Sequence, residues 1–294
     1  MNIFIHIVIN RVIKLRENMN FFHLHLLSDS TGETVSSVSR AAIAQFDGIE
    51  VEEHTWPLIR TKGQVDKVLE KIRKNGGFIM YTMADRKLRH YLKDSCNKMG
   101  VPCVSVMAKV ITDLSRFLDM KTTSHQPGRQ HEMDEEYFER VEAINFALAH
   151  DDGQSAWDLE EADVVLIGAS RTSKSPTSMY LAYRGYRAAN VPYVSGVPLP
   201  DNIENLKNPL VVGLTISPDV LVQIRKNRLL SINEDSSTDY TDMERVKAEL
   251  IEVRKIYTKN NWPVIDVTRR SVEETTATII QYYEKRKDRD KNGN

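Results

Sequence analysis

Short apolar runs alternate with stretches of helical period along most of the chain, and glycine or a polar turn separates the two kinds. Residues 21–27 (FFHLHLL) read as a buried strand. Ser30 and Glu33 then have capping-box spacing, which predicts a helix to about residue 46. Residues 49–56 are β-rich. Residues 64–73 have helical period and stop at Gly76-Gly77. A short apolar run at 78–83, a helix over 87–99 closed by Gly100, a strand over 101–107 and a helix over 109–118 continue the series.

The rhythm breaks over 119–133, a polar stretch holding Pro127-Gly128 that reads as a loop and a domain boundary. A helix over 135–150 follows, and Asp151-Asp152-Gly153 ends it. Strand character returns at 163–167. A helix over 178–189, a short strand at 192–195 and a strong strand at 210–216 are predicted next. Ser217 before Pro218 is an N-cap followed by proline at N1, so 218–228 is helical. Beyond the polar loop 231–241, a helix over 242–258, a strand over 263–267 and a capping box at Ser271 and Glu274 lead into a final helix to about residue 285, with a charged, fraying end. Repeated βα units predict an α/β fold of mostly parallel sheets flanked by helices, whose ligands sit beyond the carboxyl ends of the strands.

At 294 residues the chain is long enough for about two domains of roughly 150 residues. The break places an N-terminal α/β domain over 19–125 and a C-terminal one over 126–294. Residues 1–9 are apolar, with Arg11, Lys14 and Arg16 after them. That is the reverse of a secretory signal, and the run is far shorter than the ~20 residues of a membrane span. Met19 directly precedes the first strand, so residues 1–18 are expected to be an upstream extension, with translation starting at Met19. Lys plus Arg number 40 and Asp plus Glu 41, a net charge of −1, which argues against a general electrostatic grip on nucleic acid or on a membrane. Two cysteines, Cys96 and Cys103, make neither a disulfide framework nor a zinc pattern and read as reduced thiols of a cytosolic protein.

The strongest chemical signal is the segment Gly168-Ala169-Ser170-Arg171-Thr172-Ser173-Lys174-Ser175-Pro176 after the strand at 163–167. A loop of hydroxyl residues entering a helix suits an anion, because backbone N–H groups there point outward and unpaired. Lys174 adds a charge, and Ser175 adds a hydroxyl for a phosphate or Mg²⁺. The pattern matches G-x-x-x-x-G-K-[ST] except that Ser173 replaces the second glycine. Asp151 and Asp152 sit at a helix C-terminus, where the dipole disfavours negative charge, so one is a candidate Mg²⁺ ligand and the other a candidate acceptor of a hydroxyl proton. Asp29 and Thr31, in a second polar loop without a cation, are weaker candidates. Gly128-Arg129-Gln130-His131 is a basic loop suited to clamping phosphate. His23 and His25 share a strand face and read as structural.

These residues carry a resemblance. The blocks SDSTGET (28–34), GRQHEMDEEYFERVEAINFALAHDDG (128–153), GASRTSKSPTSMYLAYRGYRAANVP (168–192), GLTISPDVLVQIRKNRL (213–229) and NWPVIDVTRRSVEETTATI (261–279) resemble the bifunctional regulatory proteins of pyruvate, phosphate dikinase and of phosphoenolpyruvate synthase. The likeness runs from Met19 to about Tyr283. Ala169 and Ser175 stand where Val and Thr are common, both mild changes. The resemblance implies an ADP-dependent serine/threonine kinase that moves the β-phosphoryl of ADP to a threonine of the dikinase. It also implies the reverse task, removal of that phosphate by inorganic phosphate with release of pyrophosphate. It implies a nucleotide site over Gly168, Ala169, Ser170, Arg171, Thr172, Ser173, Lys174 and Ser175, with Mg²⁺ following from phosphoryl chemistry in general. Asp152 or Asp151, with Asp29 next, is expected to manage the threonine proton. The dikinase is the favoured target and the synthase the alternative. An ATP-dependent small-molecule kinase with a P-loop-like site is the rival reading, and a homodimer is left open.

Overall fold

The computed structural model describes residues 21–122, 135–232 and 239–292, which form two compact units, one over 21–122 and one over 135–292. The extension at 1–18, the start at Met19 and the clamp at Gly128-Arg129-Gln130-His131 lie outside the described residues. Among those described, no helix is long and apolar enough to cross a membrane.

The first unit runs β1 (Phe21–Ser28), α1 (Glu33–Ile43), β2 (Glu50–Trp56), α2 (Lys62–Asn75), β3 (Phe78–Thr82), α3 (Arg86–Met99), β4 (Cys103–Ser105) and α4 (Ala108–Phe117). Its sheet is parallel, in the order β2-β1-β3-β4. Both faces are covered. Leu27, Ile79 and Tyr81 pack with α2 and α3 on one side, while Leu24, Leu26 and Met80 pack with Val35 of α1 on the other.

Local chemistry departs from expectation at α1. Ser30 and Glu33 form no capping box there; Gly32, at φ 91°, is the N-cap, and Ser28 Oγ accepts from the Ser30 N–H instead. A capping box does open α2, with Thr61 and Gln64 exchanging bonds. Both cysteines are free, and burial pushes the Cys96 thiol up to about 12, as suits an unreactive packing residue.

The second unit runs α5 (Glu135–Ala149), β5 (Val164–Ala169), α6 (Lys174–Tyr183), β6 (Ala188–Tyr193), β7 (Leu210–Thr215), α7 (Pro218–Ser231), α8 (Met243–Lys259), β8 (Val264–Asp266) and α9 (Val272–Asn292). Short 3₁₀ turns at Asp151–Gly153 and Ala156–Glu161 lie between α5 and β5. The sheet order is β6-β5-β7-β8, again all parallel. It repeats the topology of the first unit, although no repeat is visible in the sequence. Every residue of β5 and β7 is buried, so neither strand alternates. Val164, Leu166, Val212 and Leu214 face Leu221, Leu250 and Ile279, while Val165, Ile167 and Val211 face Leu159, Val253 and Tyr257.

Three expectations are corrected in this unit. The helix expected over 178–189 is Lys174–Tyr183, because the chain turns at Gly185 (φ 88°). The strand expected at 192–195 is Ala188–Tyr193, pairing Ala188 with Val164 and Tyr193 with Ala169. The charged end does not fray at residue 285: α9 continues to Asn292, opened by the predicted Ser271–Glu274 box.

Candidate active site at the end of β5

In the order β6-β5-β7-β8 the chain leaves β5 towards β6 and leaves β7 towards β8, so the crevice where ligands gather lies at the carboxyl ends of β5 and β7. Residues 170–173 form one lip and Ile216 and Ser217 the other. Tyr257, from α8, spans the floor, its hydroxyl donating to Ile167 O (2.9 Å) and Leu214 O (3.2 Å). Gly213 leaves it room, since a Cβ there would stand 2.6 Å from the ring.

The loop after β5 is held from inside. Thr172 is fully buried, and its hydroxyl donates back to Ala169 O at 2.9 Å. Gly168 permits this, because a Cβ there would meet Thr172 Oγ1 at 2.6 Å and Leu214 O at 2.9 Å. Arg171 (φ 73°) and Ser173 (φ 61°) adopt the left-handed conformation. Ser173 therefore does at the second glycine position what glycine does more cheaply, by about 1–2 kcal/mol. Non-glycine residues held this way gather at functional sites. Among the described residues, no turn or cap bond uses an amide of 171–175 as donor. These N–H groups and the start of α6 are available to an anion. Gly168→Ala is expected to displace the Thr172 hydroxyl, lower stability by about 1–3 kcal/mol and weaken anion binding at the loop, which scanning calorimetry and a phosphate titration would measure.

Lys174, the first residue of α6, is 5 % exposed, and its ammonium donates to Ala169 O at 3.0 Å. Burial pulls its pKa down to about 8 against the carboxylates of Asp152, Asp151 and Glu249, which pull it up. Asp151 and Asp152 thus belong to the same electrostatic site as the loop. Their turn is tied to β6 through Asn190, whose backbone N–H donates to His150 O (2.9 Å) and whose side-chain amide donates to Asp151 Oδ1 and Ser175 Oγ. Asp152 is exposed and left-handed (φ 51°), and Gly153 lies against Pro192. His150 braces the turn from below, bonded to Asp158 at 2.6 Å and to Phe146 O at 2.8 Å.

Four participants were not visible in the sequence. Arg225 of α7, buried, donates to Ser170 O (3.2 Å) and Tyr240 O (3.2 Å) and grips Glu249 of α8 with both terminal nitrogens (2.8 and 3.1 Å). The Tyr240 ring lies 4.4 Å beneath its guanidinium, and the Tyr240 hydroxyl bonds Ser170 Oγ at 3.0 Å. Asn190 is the fourth. Arg171, by contrast, is exposed, placing its charge at the mouth.

Asp29 and Thr31 lie in the first unit. Asp29 is buried at the corresponding switch point between β1 and β3, where its carboxylate accepts from the Ala84 N–H and its backbone N–H donates to Thr82 O. Burial pushes its carboxyl pKa up, against the bond from Ala84. Thr31 is exposed.

The profile of the kinase/pyrophosphorylase family matches residues 24–280, most of the chain. The chain belongs to the kinase/pyrophosphorylase family. It is 49 % identical over 271 residues to a protein of Paramagnetospirillum magneticum, covering 92 % of this chain and 87 % of that one. A Rhizorhabdus wittichii protein is 50 % identical over 264 residues (90 % and 96 % covered), and one from Ehrlichia chaffeensis 48 % over 264 (90 % and 96 %). All three relatives bear the provisional name pyruvate, phosphate dikinase regulatory protein. The family match spans both units and includes the whole loop from Gly168 to Ser175. Kinase-like phosphotransfer is the chemistry of this family, and a deep anion cradle beside two carboxylates suits it.

Proposed function

We propose that this family member regulates pyruvate, phosphate dikinase by phosphorylating a dikinase threonine with ADP and removing that phosphate with inorganic phosphate. The carrying observation is the loop of 168–175, with Lys174 at its base and Asp151 and Asp152 in its field. The relatives' names support the target, and the family's pairing of kinase with pyrophosphorylase supports two directions at one site.

Phosphoryl transfer is chiefly positioning and charge stabilisation. In the forward direction the threonine oxygen attacks the β-phosphorus of ADP, the bond to the α-phosphate oxygen breaks, and AMP leaves. Loop amides, Lys174 and Arg171 would hold the transferring group, while Asp152 or Asp151 takes the threonine proton. In the return direction an oxygen of inorganic phosphate attacks the phosphothreonine phosphorus. The threonine oxygen leaves and recovers a proton from the same carboxyl, and pyrophosphate is released. Asp152 is the better candidate, because Asp151 is already bonded to Asn190.

A Mg²⁺ ion needs oxygen ligands, and the site offers the right kind. Asp151 offers a carboxylate beside Asn190, and Asn190 Oδ1 is a buried carbonyl with no hydrogen-bond partner among the described residues, which leaves Asp152 to the proton. When bound, the ion would neutralise phosphate charge.

The test is to incubate the chain with dikinase phosphorylated on its catalytic histidine and with ADP labelled in the β-phosphate. Label on a dikinase threonine, and none from γ-labelled ATP, is expected. A blank dikinase with labelled phosphoenolpyruvate synthase would transfer the same chemistry to the synthase, and blanks on both would overturn the reading. Asp152→Asn is expected to lower the threonine phosphorylation rate by about 10²–10⁴-fold with nucleotide affinity retained. Equal loss in Asp151→Asn alone would reassign the base.

A further inference from the structure

In the first unit, parallel pairing of β1 with β2 sets His23 opposite Glu52 and His25 opposite His54. The period of two puts these side chains and Trp56 on one face of the sheet. No spacing pattern announces the group, since it is assembled across two strands. His23 Nδ1 lies 3.0 Å from His54 Nε2 and 3.5 Å from Glu52 Oε2, and Glu52 Oε1 lies 3.6 Å from His54 Nε2. A tetrahedral zinc ion with bonds of about 2.0–2.1 Å has ligand atoms about 3.3 Å apart. One ligand atom from each of the three residues lies within 4.8 Å of the other two, so a small turn of the Glu52 carboxylate brings the set to one face of such a tetrahedron.

We propose that His23, Glu52 and His54 form a binding site for a first-row divalent cation of the Zn²⁺ type, with its fourth position open to water. Two imidazole nitrogens and one carboxylate select such an ion over Mg²⁺ or Ca²⁺, which require all-oxygen shells. Both histidines are about one-fifth exposed and Glu52 about half, so an ion has access.

The surroundings hold the rings in place. His54 stacks on His25 at 4.7 Å and 16°, and His23 meets Phe21 edge-on at 5.2 Å. His25 is not a competing ligand. Its Nδ1 accepts from Trp56 Nε1 (3.3 Å), so its Nε2 carries the proton donated to Gly76 O (3.1 Å). It serves instead as the flat wall against which the His54 ring stacks. Because β2 is the edge strand of its sheet, a bound cation would fasten that edge to β1. It would stabilise the fold by binding the native state alone.

The test is a Co²⁺ titration of the full chain, followed by visible d–d absorption. A tetrahedral band saturating at one equivalent, displaced by Zn²⁺ and indifferent to excess Mg²⁺, is expected. His54→Gln and Glu52→Gln should each weaken Co²⁺ binding by more than about tenfold and abolish most of the rise in Tm that Zn²⁺ gives the wild type. Glu52 is exposed enough for its variant to fold, so Glu52→Gln decides the matter if His54→Gln does not. No band would mean that the two imidazoles share only a proton, and unchanged affinity in both variants would mean that the ion sits elsewhere; either overturns the site.

Discussion

Lys174→Ala should abolish threonine phosphorylation and phosphate-dependent dephosphorylation together, each by at least about 10²–10³-fold, the loss typical of removing one preorganised charge-stabilising donor. The reason is position. Its ammonium is buried beneath the loop, bonded to Ala169 O, where the transferring phosphoryl would bring its negative charge in either direction. Loss of one direction only would show that the two reactions use different sites. The pH dependence follows from the direction of the shift. Burial lowers Lys174 from 10.5 to about 8, so in the nucleotide-free protein the cation is present below about pH 8 and lost above it. Nucleotide affinity should therefore fall as pH rises through about 8, well before an ordinary lysine would titrate. Stability has the opposite sign. A lysine whose folded pKa lies below its unfolded pKa is easier to bury neutral, so its contribution to stability improves as pH rises from about 8 towards 10.5. At neutral pH Lys174→Met should then lose activity without losing Tm, which differential scanning calorimetry at pH 7 would read directly.

The general frame was legible because it rests on local signals. Apolar runs, glycine stops and capping residues marked most strands and helices, and a loop that crowds hydroxyls and cations between a strand and Pro176 stood out against ordinary turns. What the sequence hid has physical causes. Ala188 and Ala189 look like the end of a helix because alanine favours helices. They open the strand Ala188–Tyr193 because their small side chains fit the fully buried surface beside β5, where period-two alternation disappears. Ser30 and Glu33 have the right spacing for a box, but the helix begins at Glu33 with Gly32 as its N-cap, so Ser30 lies two residues outside the capping position. Asn190 and Arg225 reach the site only through tertiary contacts. In a helix reading QIRKNR an arginine is indistinguishable from its solvated neighbours until the partner helix is known. The same holds for His54 and Glu52, which complete the pair at His23 only when β2 lies beside β1.

Arg225→Met should be the most destabilising single substitution in the second unit, costing about 3–5 kcal/mol, because it leaves Glu249 charged and largely buried with its bidentate partner gone. It should also impair the site, since Arg225 is what anchors the Ser170 carbonyl and stacks on Tyr240. A paired substitution separates the two effects. In Arg225→Met with Glu249→Leu no buried charge remains, and replacement of such a pair by apolar residues is often neutral or stabilising, so urea denaturation should recover most of the lost stability. The anchor on Ser170 is not restored. The double variant should therefore fold like the wild type yet show a raised KM for nucleotide, with Ser170 held only through its hydroxyl contact to Tyr240. If stability and nucleotide KM recover together, Arg225 is a structural strut alone. If stability recovers and KM does not, the ion pair exists to hold the loop at the end of β5 in its binding shape, and α7 and α8 are part of how this fold positions a phosphate.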